Sequence, residues 1–327
     1  MSDEQAKPDD VPAGSQEHDR SADPAAPTGW RRLVAPLRVA SMGAVAAYLV
    51  YKLRQIGWDE VLRSLPATPW FYVVFLANYL SLPLFEVLIY HGLWGTGFKS
   101  LPALLRKRVY NESVVEYSGE ASFYLWARRT LAAADGAVFR VVRDVNILSA
   151  LAAYAVTSCV LGAVLLAGSP VGGRQDHALI VRAAILSGVI VAALLAVAVM
   201  LRRQGVSMSL REGARVSAIH VLRILVSMAL QALQWHLALP AVGIGSWLFF
   251  LAVQMTLRLV PLLPNKDLVF AGLAMGLSAR IDAPQPVVAG MLVAAAALQP
   301  AANLAVYVGS LLQRRRTREP SDSAPRV

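Results

Sequence analysis

Long apolar runs recur along this chain, separated by short polar or basic stretches. Residues 147–168, 178–201 and 287–312 each approach or exceed the roughly 20 apolar residues an α-helix needs to cross a bilayer. Residues 70–94 form a further run, with Trp70 and Trp94 at its ends as interfacial anchors. A first run, 33–53, is interrupted by Pro36 and Arg38. Residues 217–239 are more amphipathic, with His220, Arg223, Gln231, Gln234 and His236 among the apolar positions. Two shorter apolar pieces, 247–263 and 268–281, flank the polar turn Pro264-Asn265-Lys266-Asp267. The pattern predicts an all-α fold, a polytopic helical membrane protein of about six to eight spans, with room for re-entrant helical segments.

The ends of the chain read differently. Residues 1–29 are polar, rich in Pro, Ser, Asp and Ala, and lack the apolar core of a signal peptide, so they are expected to form a disordered cytoplasmic tail. Residues 30–313 read as a single integral membrane domain, and 314–327 as a basic cytoplasmic C-terminal tail. Basic residues orient the whole. Lys99, Arg106, Lys107, Arg108, Arg128, Arg129, Arg140 and Arg143 follow the 70–94 run, and Arg202, Arg203, Arg211 and Arg215 follow the 178–201 run. The loop between 168 and 178 carries only Arg174, and the stretch around Gly243 carries no cation. The positive-inside rule then places both termini in the cytoplasm. Residues 247–285 must start and end outside. A re-entrant hairpin turning at 264–267 satisfies that, and so do two short spans joined by a cytoplasmic turn. The shortness of 268–281 favours the hairpin.

Composition agrees with a membrane class. Of 327 residues 56% are hydrophobic and 16% charged, against about 25% charged in soluble domains. The net charge of +10 sits in loops between apolar runs. It therefore reads as a topology signal and a contact for anionic lipid headgroups, and not as a nucleic-acid surface. The single cysteine, Cys159, permits no disulfide within the chain. The excess of Arg over Lys and the alanine content resemble a high-GC bacterial genome, which points to a bacterial inner (cytoplasmic) membrane. There is no HExxH, GxSxG or Walker motif, and the five histidines are scattered. No catalytic residue, metal site or cofactor is predicted, and an enzyme reading finds no support.

The candidate chemistry concentrates in NESVVEYSGEASFYLWARR, residues 111–129. Glu112, Glu116 and Glu120 fall within nine residues, and three of the twelve Asp and Glu between 30 and 312 are here. On a helix, positions 112, 116, 120, 124 and 128 form one stripe. Like charges at i,i+4 oppose that helix by a few tenths of a kcal/mol each, and Gly119 by about 1 kcal/mol. Either the helix breaks near Ser118–Gly119, or cations compensate; Arg106, Lys107, Arg108, Arg128 and Arg129 are at hand. A solvated acidic face on a cytoplasmic helix is one reading. Acids lining a polar cavity in a half-buried segment is the other, and the apolar face of Val114, Val115, Phe123, Leu125 and Trp126 favours it. Glu86 sits inside the 70–94 run, where an ionisable group is costly and needs a partner. Arg258 is its expected counter-charge. His220, Gln231, Gln234, His236, Gln299 and Asn303 read as interhelical hydrogen bonding.

Two stretches carry a family resemblance. YNESVVEYSGEASFYLWARR resembles the first signature of the lysylphosphatidylglycerol synthase membrane region, or flippase-like membrane family, through Asn111, Gly119, Glu120, Leu125, Arg128 and Arg129. Val115 stands where that family has proline, and Phe123 where an arginine often follows the glutamate. LVPLLPNKDLVFAGLAMGLSARIDAPQPVVAGMLVAAAALQ resembles the second signature, with Asn265 and Lys266 in place of its glycine pair. Glu120-Ala-Ser-Phe123 also parallels Asp267-Leu-Val-Phe270. The resemblance implies a divergent member, without the aminoacyl-transfer domain, that handles a lipid or lipid-linked substrate between leaflets. The expected substrate-binding residues are Glu86, Asn111, Glu116, Glu120, Tyr124, Arg128, Arg258 and Asp267. In that picture Glu120 and Asp267 face a cationic or hydroxylated headgroup, and Arg128 and Arg258 its phosphate. Membrane lipids would then be the partners. The alternative is a non-transporting accessory protein, bound through its basic loops to enzymes of a lipid or polysaccharide biosynthesis pathway.

Overall fold

The structure is a computed structural model that describes residues 50–51, 54, 57–113, 118–131, 135–166, 207–259, 266–278 and 283–316. Every regular element among the described residues is helical. A short helix α1 (Trp58–Arg63) precedes α2 (Pro69–Trp94). A 3-10 turn (Gly97–Ser100) then leads to α3 (Leu101–Ser113), α4 (Ser118–Leu131) and α5 (Asp135–Leu166). After the undescribed residues 167–206 come α6 (Leu210–Ala238), α7 (Ile244–Leu259), α8 (Lys266–Leu277) and α9 (Gln285–Arg316). Four of these helices contain stretches long and apolar enough to cross a membrane: Pro69–Trp94, Gly136–Val164, Leu210–Ala238 and Gln285–Leu312. The expected spans at 70–94, 147–168, 217–239 and 287–312 correspond to them. Most of the expected run at 33–53 and the whole of 178–201 lie outside the described residues.

Local chemistry sets the helix ends. Pro69 starts α2, where a missing N–H is no loss, and Gly95 ends it in the left-handed region at φ 68°, its N–H donating to the His91 carbonyl at 2.9 Å. At α6, Ser209 and Glu212 form a capping box. Asp144 of α5 ties the start of that helix in place: it is fully buried and accepts from both the backbone N–H and the hydroxyl of Ser207 at 2.7 Å.

Contacts along the long helices fix their directions. α2 and α6 are antiparallel: Gly92 lies against Arg215, while Asn78 bonds Gln231 at 3.4 Å and Ser227 at 2.7 Å. α9 runs parallel to α2, since Gly290 abuts Ser64 and Asn303 meets Tyr79. α5 passes the start of α6 part-way along its length, where Asp144 meets Ser207 and Leu148 touches Gly213, and the two helices run in the same sense. The bundle thus has a Trp94 end and a Pro69 end.

Two helical hairpins fill the spaces between long helices, one from each end. α3 turns back along α2 from the Trp94 end, bringing Lys107 to Glu86 and Arg108 to the Tyr79 carbonyl. Tyr79 is ten residues from Pro69, so the hairpin reaches a level ~15 Å from that end of the helix. α4 returns to the Trp94 end, where Phe123 packs against Tyr90 and Trp94 with ring centroids 4.6 and 6.3 Å away. α7 enters from the Pro69 end, with Trp247 and Phe250 against Trp235 of α6. α8 returns to that end, with Phe270 stacked on Trp235 at 5.7 Å. Each hairpin is anchored by its own aromatic cluster.

The acidic stripe predicted on one continuous helix does not form. Glu112 lies on α3 and Glu120 on α4, two separate helices held side by side by Asn111, which bonds both Gly119 and Glu120. Glu116 lies outside the described residues. Repulsion between stacked carboxylates and the weak helix propensity of Gly119 both oppose one continuous helix through 112–120.

Close packing of α9 against the α1–α2 connection depends on Gly290. A Cβ there would collide with the Ser64 carbonyl oxygen and lie 2.7 Å from Ser64 C and 3.1 Å from Leu65 N. All three are backbone atoms that cannot swing aside. Gly309 on the same helix faces open space. Gly290→Ala should therefore cost about 1–3 kcal/mol through overpacking, whereas Gly309→Ala should be neutral or gain up to ~1 kcal/mol of helix propensity. Thermal aggregation of the detergent-solubilised variants measures the difference.

Candidate functional site

The polar centre of the molecule lies where the first hairpin meets α2. Lys107 and Glu86 have side chains only 5% and 9% exposed, and the Lys107 ammonium donates to Glu86 Oε1 at 2.6 Å. The same ammonium lies 3.8 Å from Glu120 Oε1. One buried cation therefore serves two carboxylates from two different helices. Asn111 completes the clasp: its amide nitrogen donates to Glu120 Oε1 at 3.1 Å, and its amide oxygen accepts the Gly119 N–H at 2.7 Å. Ser118 donates to the Tyr110 carbonyl at 3.0 Å beside it.

Gly119 is what allows this approach. A Cβ at that position would overlap the Lys107 carbonyl oxygen and come within 2.6 Å of Asn111 Oδ1. Any larger residue would push α4 off α3 and lift Glu120 away from the ammonium.

A second layer extends the network to α9. Pro83 has no N–H, so the Tyr79 carbonyl four residues earlier loses its helical donor. Arg108 donates to that carbonyl, and its guanidinium stacks 4.1 Å from the centroid of the Tyr79 ring. Arg108 also pairs with Glu112 at 2.9 Å. The other Glu112 oxygen accepts from Gln299 at 2.5 Å and Asn303 at 2.9 Å, and the Tyr79 hydroxyl donates to Asn303 Oδ1 at 2.8 Å. On α6, Gln231 donates to Gln234, while Arg223 reaches Ser149 of α5 at 3.2 Å.

Some buried polar atoms here have no hydrogen-bond partner among the described residues: Glu120 Oε2, the Tyr90 hydroxyl and Arg223 Nε. Leaving such groups unpaired costs about 1–3 kcal/mol each, more when charged. Others among the described residues are those of Thr96, His220, Gln234 and Trp247. Among the described residues no group of three His, Cys, Asp or Glu is placed to hold a metal ion.

The residues expected from sequence are distributed as follows. Glu86, Asn111 and Glu120 come together in this cluster. Tyr124 packs edge-on against Phe139 of α5, with ring centroids 6.1 Å apart. Arg128 is exposed in the last turn of α4, two turns beyond Glu120. The expected Glu86–Arg258 pair is not formed. Arg258 instead donates to Asp267 at 3.5 Å across the second hairpin, where Lys266 also caps the Arg258 carbonyl at 2.9 Å. The reason is topological: α3 folds back on α2 and delivers Lys107 to Glu86 first, whereas Arg258 arrives on a hairpin from the opposite end. In the sequence Lys107 is one of several possible counter-charges, and nothing in the apolar pattern singles out Tyr79, Arg108 or Glu112 as a set. Pro83, at i+4 from Tyr79, is the signal that marks where a donor is needed.

No family model, curated protein or solved structure matches this chain.

Truncating one member of a buried ion pair strands the other charge. Lys107→Met should destabilise the protein by about 3–5 kcal/mol, and Glu86→Leu combined with Lys107→Met should recover most of that loss. Melting curves of the purified single and double variants check it; a double variant as unstable as Lys107→Met would show that the pair is not the determinant.

Proposed function

We propose that this chain is a flippase-like membrane protein that passes a lipid or lipid-linked headgroup between the leaflets of a bacterial inner membrane, with the Lys107 cluster as its polar station. The observation that carries the reading is the position of that cluster. It is buried among long apolar helices, it holds charges of both signs, and it leaves Glu120 Oε2 unpaired. Ionisable groups inside apolar helices are expensive and ordinarily mark a path for a polar substrate. Broken helices that enter from one side and turn within the protein are the elements from which several transporters build a central site. The likeness of residues 110–129 and 259–299 to the flippase-like signatures supports the same direction.

In this mechanism the acyl chains stay in lipid, and the headgroup enters beside the first hairpin. Its ammonium or hydroxyl donates to Glu120, taking up the free Oε2. Its phosphate is drawn by the cations: Lys107 as it loosens from Glu120, then Arg258 on the second hairpin. Buried charge pairs supply steps of attraction without a fixed deep trap, because each ligand contact replaces one already made within the protein.

Leaflet exchange of a fluorescent phospholipid in proteoliposomes tests the reading. Glu120→Gln, Glu86→Gln and Arg258→Gln should each lower the exchange rate about tenfold or more, the loss expected when ~1.4 kcal/mol of stabilisation is removed. Unchanged exchange in all three would overturn it. A purified protein that exchanges no lipid but holds one stable enzyme partner would support the accessory role instead.

A further inference from the structure

The polar ends of three side chains beside the Lys107 cluster are left out of its network: Tyr90 on α2, and His220 and Arg223 on α6. Tyr90 is fully buried and His220 is 1% exposed. The Tyr90 hydroxyl, both ring nitrogens of His220 and Arg223 Nε have no hydrogen-bond partner among the described residues. The Val145 carbonyl faces the imidazole without reaching hydrogen-bond geometry. Buried polar atoms are penalised when unpaired, so a folded protein ordinarily gives them a partner, its own or a bound one.

These groups stand at one level of the bundle. α2 and α6 are antiparallel, with Gly92 against Arg215 and Asn78 against Ser227. Between those contacts His220 comes opposite the turn that carries Glu86, and Arg223 follows nearly one turn further toward the Pro69 end. The charges agree with that placement. His220 lies in the field of Arg223 and Lys107, Arg223 in that of Glu86 and Arg108, and Tyr90 in that of Glu86 and Glu120. The Glu86–Lys107 pair is thus the middle of a wider cluster. On the α4 side, Glu120 Oε2 and the Tyr90 hydroxyl are unpaired; on the α6 side, Arg223 Nε and the His220 ring are. The carboxylates Glu86 and Glu120 stand against the cations Lys107 and Arg223, so the formal charges balance while their unpaired atoms face opposite needs.

We propose that Tyr90, His220 and Arg223 complete a headgroup subsite with Glu120, and that this subsite takes a phosphodiester carrying a hydrogen-bond donor of its own. The phosphate oxygens accept from Arg223 Nε and from the His220 ring; a guanidinium N–H to phosphate is among the stronger hydrogen bonds a protein makes. The donor end of the headgroup, an ammonium or a hydroxyl, goes to Glu120 Oε2. The Tyr90 hydroxyl both donates and accepts, so it serves either end. Water would satisfy any one of these atoms. A ligand with an acceptor at one end and a donor at the other satisfies the cation on α6 and the carboxylate on α4 together. A headgroup that is anionic and has no donor would set its charge against Glu120. The site therefore selects for the donor as much as for the phosphate. This deepens the flippase reading and rests on it for transport; binding can be measured apart from it.

Equilibrium binding to the purified full chain in detergent tests the subsite. The probes are short-chain phosphatidylethanolamine, phosphatidylglycerol and phosphatidic acid, which present an ammonium, a hydroxyl and no such donor group beyond the phosphate. The first two should bind saturably, and phosphatidic acid about tenfold more weakly, as like charges are then juxtaposed. Arg223→Gln should weaken the first two about tenfold through loss of a charge-assisted hydrogen bond. Tyr90→Phe keeps the ring that stacks on Trp94 at 4.9 Å and should weaken them about threefold, as one neutral hydrogen bond is lost. Glu120→Gln should remove most of the discrimination against phosphatidic acid, a reversal that a purely structural role would not produce. If Arg223→Gln does not fold, Tyr90→Phe and the order of the three lipids decide. Equal affinity for all three lipids, or parental binding by Tyr90→Phe and Arg223→Gln, would overturn the proposal. The stated selectivity in a protein that exchanges no lipid would instead overturn the flippase reading and leave the subsite standing.

Discussion

A single ammonium group organises the first half of this molecule. Lys107 is shared between Glu86 on α2 and Glu120 on α4, and among the described residues neither carboxylate has another cation as near. Attraction between unit charges grows as the surroundings become less polar, and so does the penalty for separating them. The chain around Lys107 is built to that constraint. Gly95 ends α2 in the left-handed conformation and sends the chain back alongside it. Gly119 lets α4 approach the Lys107 backbone. Phe123, fully buried, packs on Tyr90 and Trp94 and sets the depth at which Glu120 arrives.

Around that pair, polar groups form chains that cross between helices. One runs from Arg108 through Glu112 to Gln299 and Asn303 of α9, and back through Tyr79. Another joins Asn78 of α2 to Ser227 and Gln231 of α6. Apolar helices can slide past one another at little cost, because one leucine contact resembles the next. Hydrogen-bonded side chains cannot, since a buried polar group without a partner is penalised. These bonds set the register of α2 against α6 and α9, and so the height at which the hairpin meets them. Pro83 takes part by omission, as the carbonyl it frees is the one Arg108 binds.

Length and apolarity make the long helices legible in the sequence, since a run near 20 apolar residues has few alternatives. The shortness of the apolar pieces within 247–281 is legible as well, and the described residues there form two short helices, α7 and α8, rather than one long one. The importance of residues 111–129 can be read from three acids in an apolar chain. Their arrangement cannot, because a four-residue spacing fits one helix face and also two helices joined by a turn. Only the cost of stacking three carboxylates, together with Gly119, hints at the break. Partner choice is the least accessible. Glu86 needs a cation, and the sequence offers many; the one it takes is decided by how tightly the chain turns after Trp94. Arg258 looks the natural partner because it interrupts an apolar run, yet its hairpin enters from the other end.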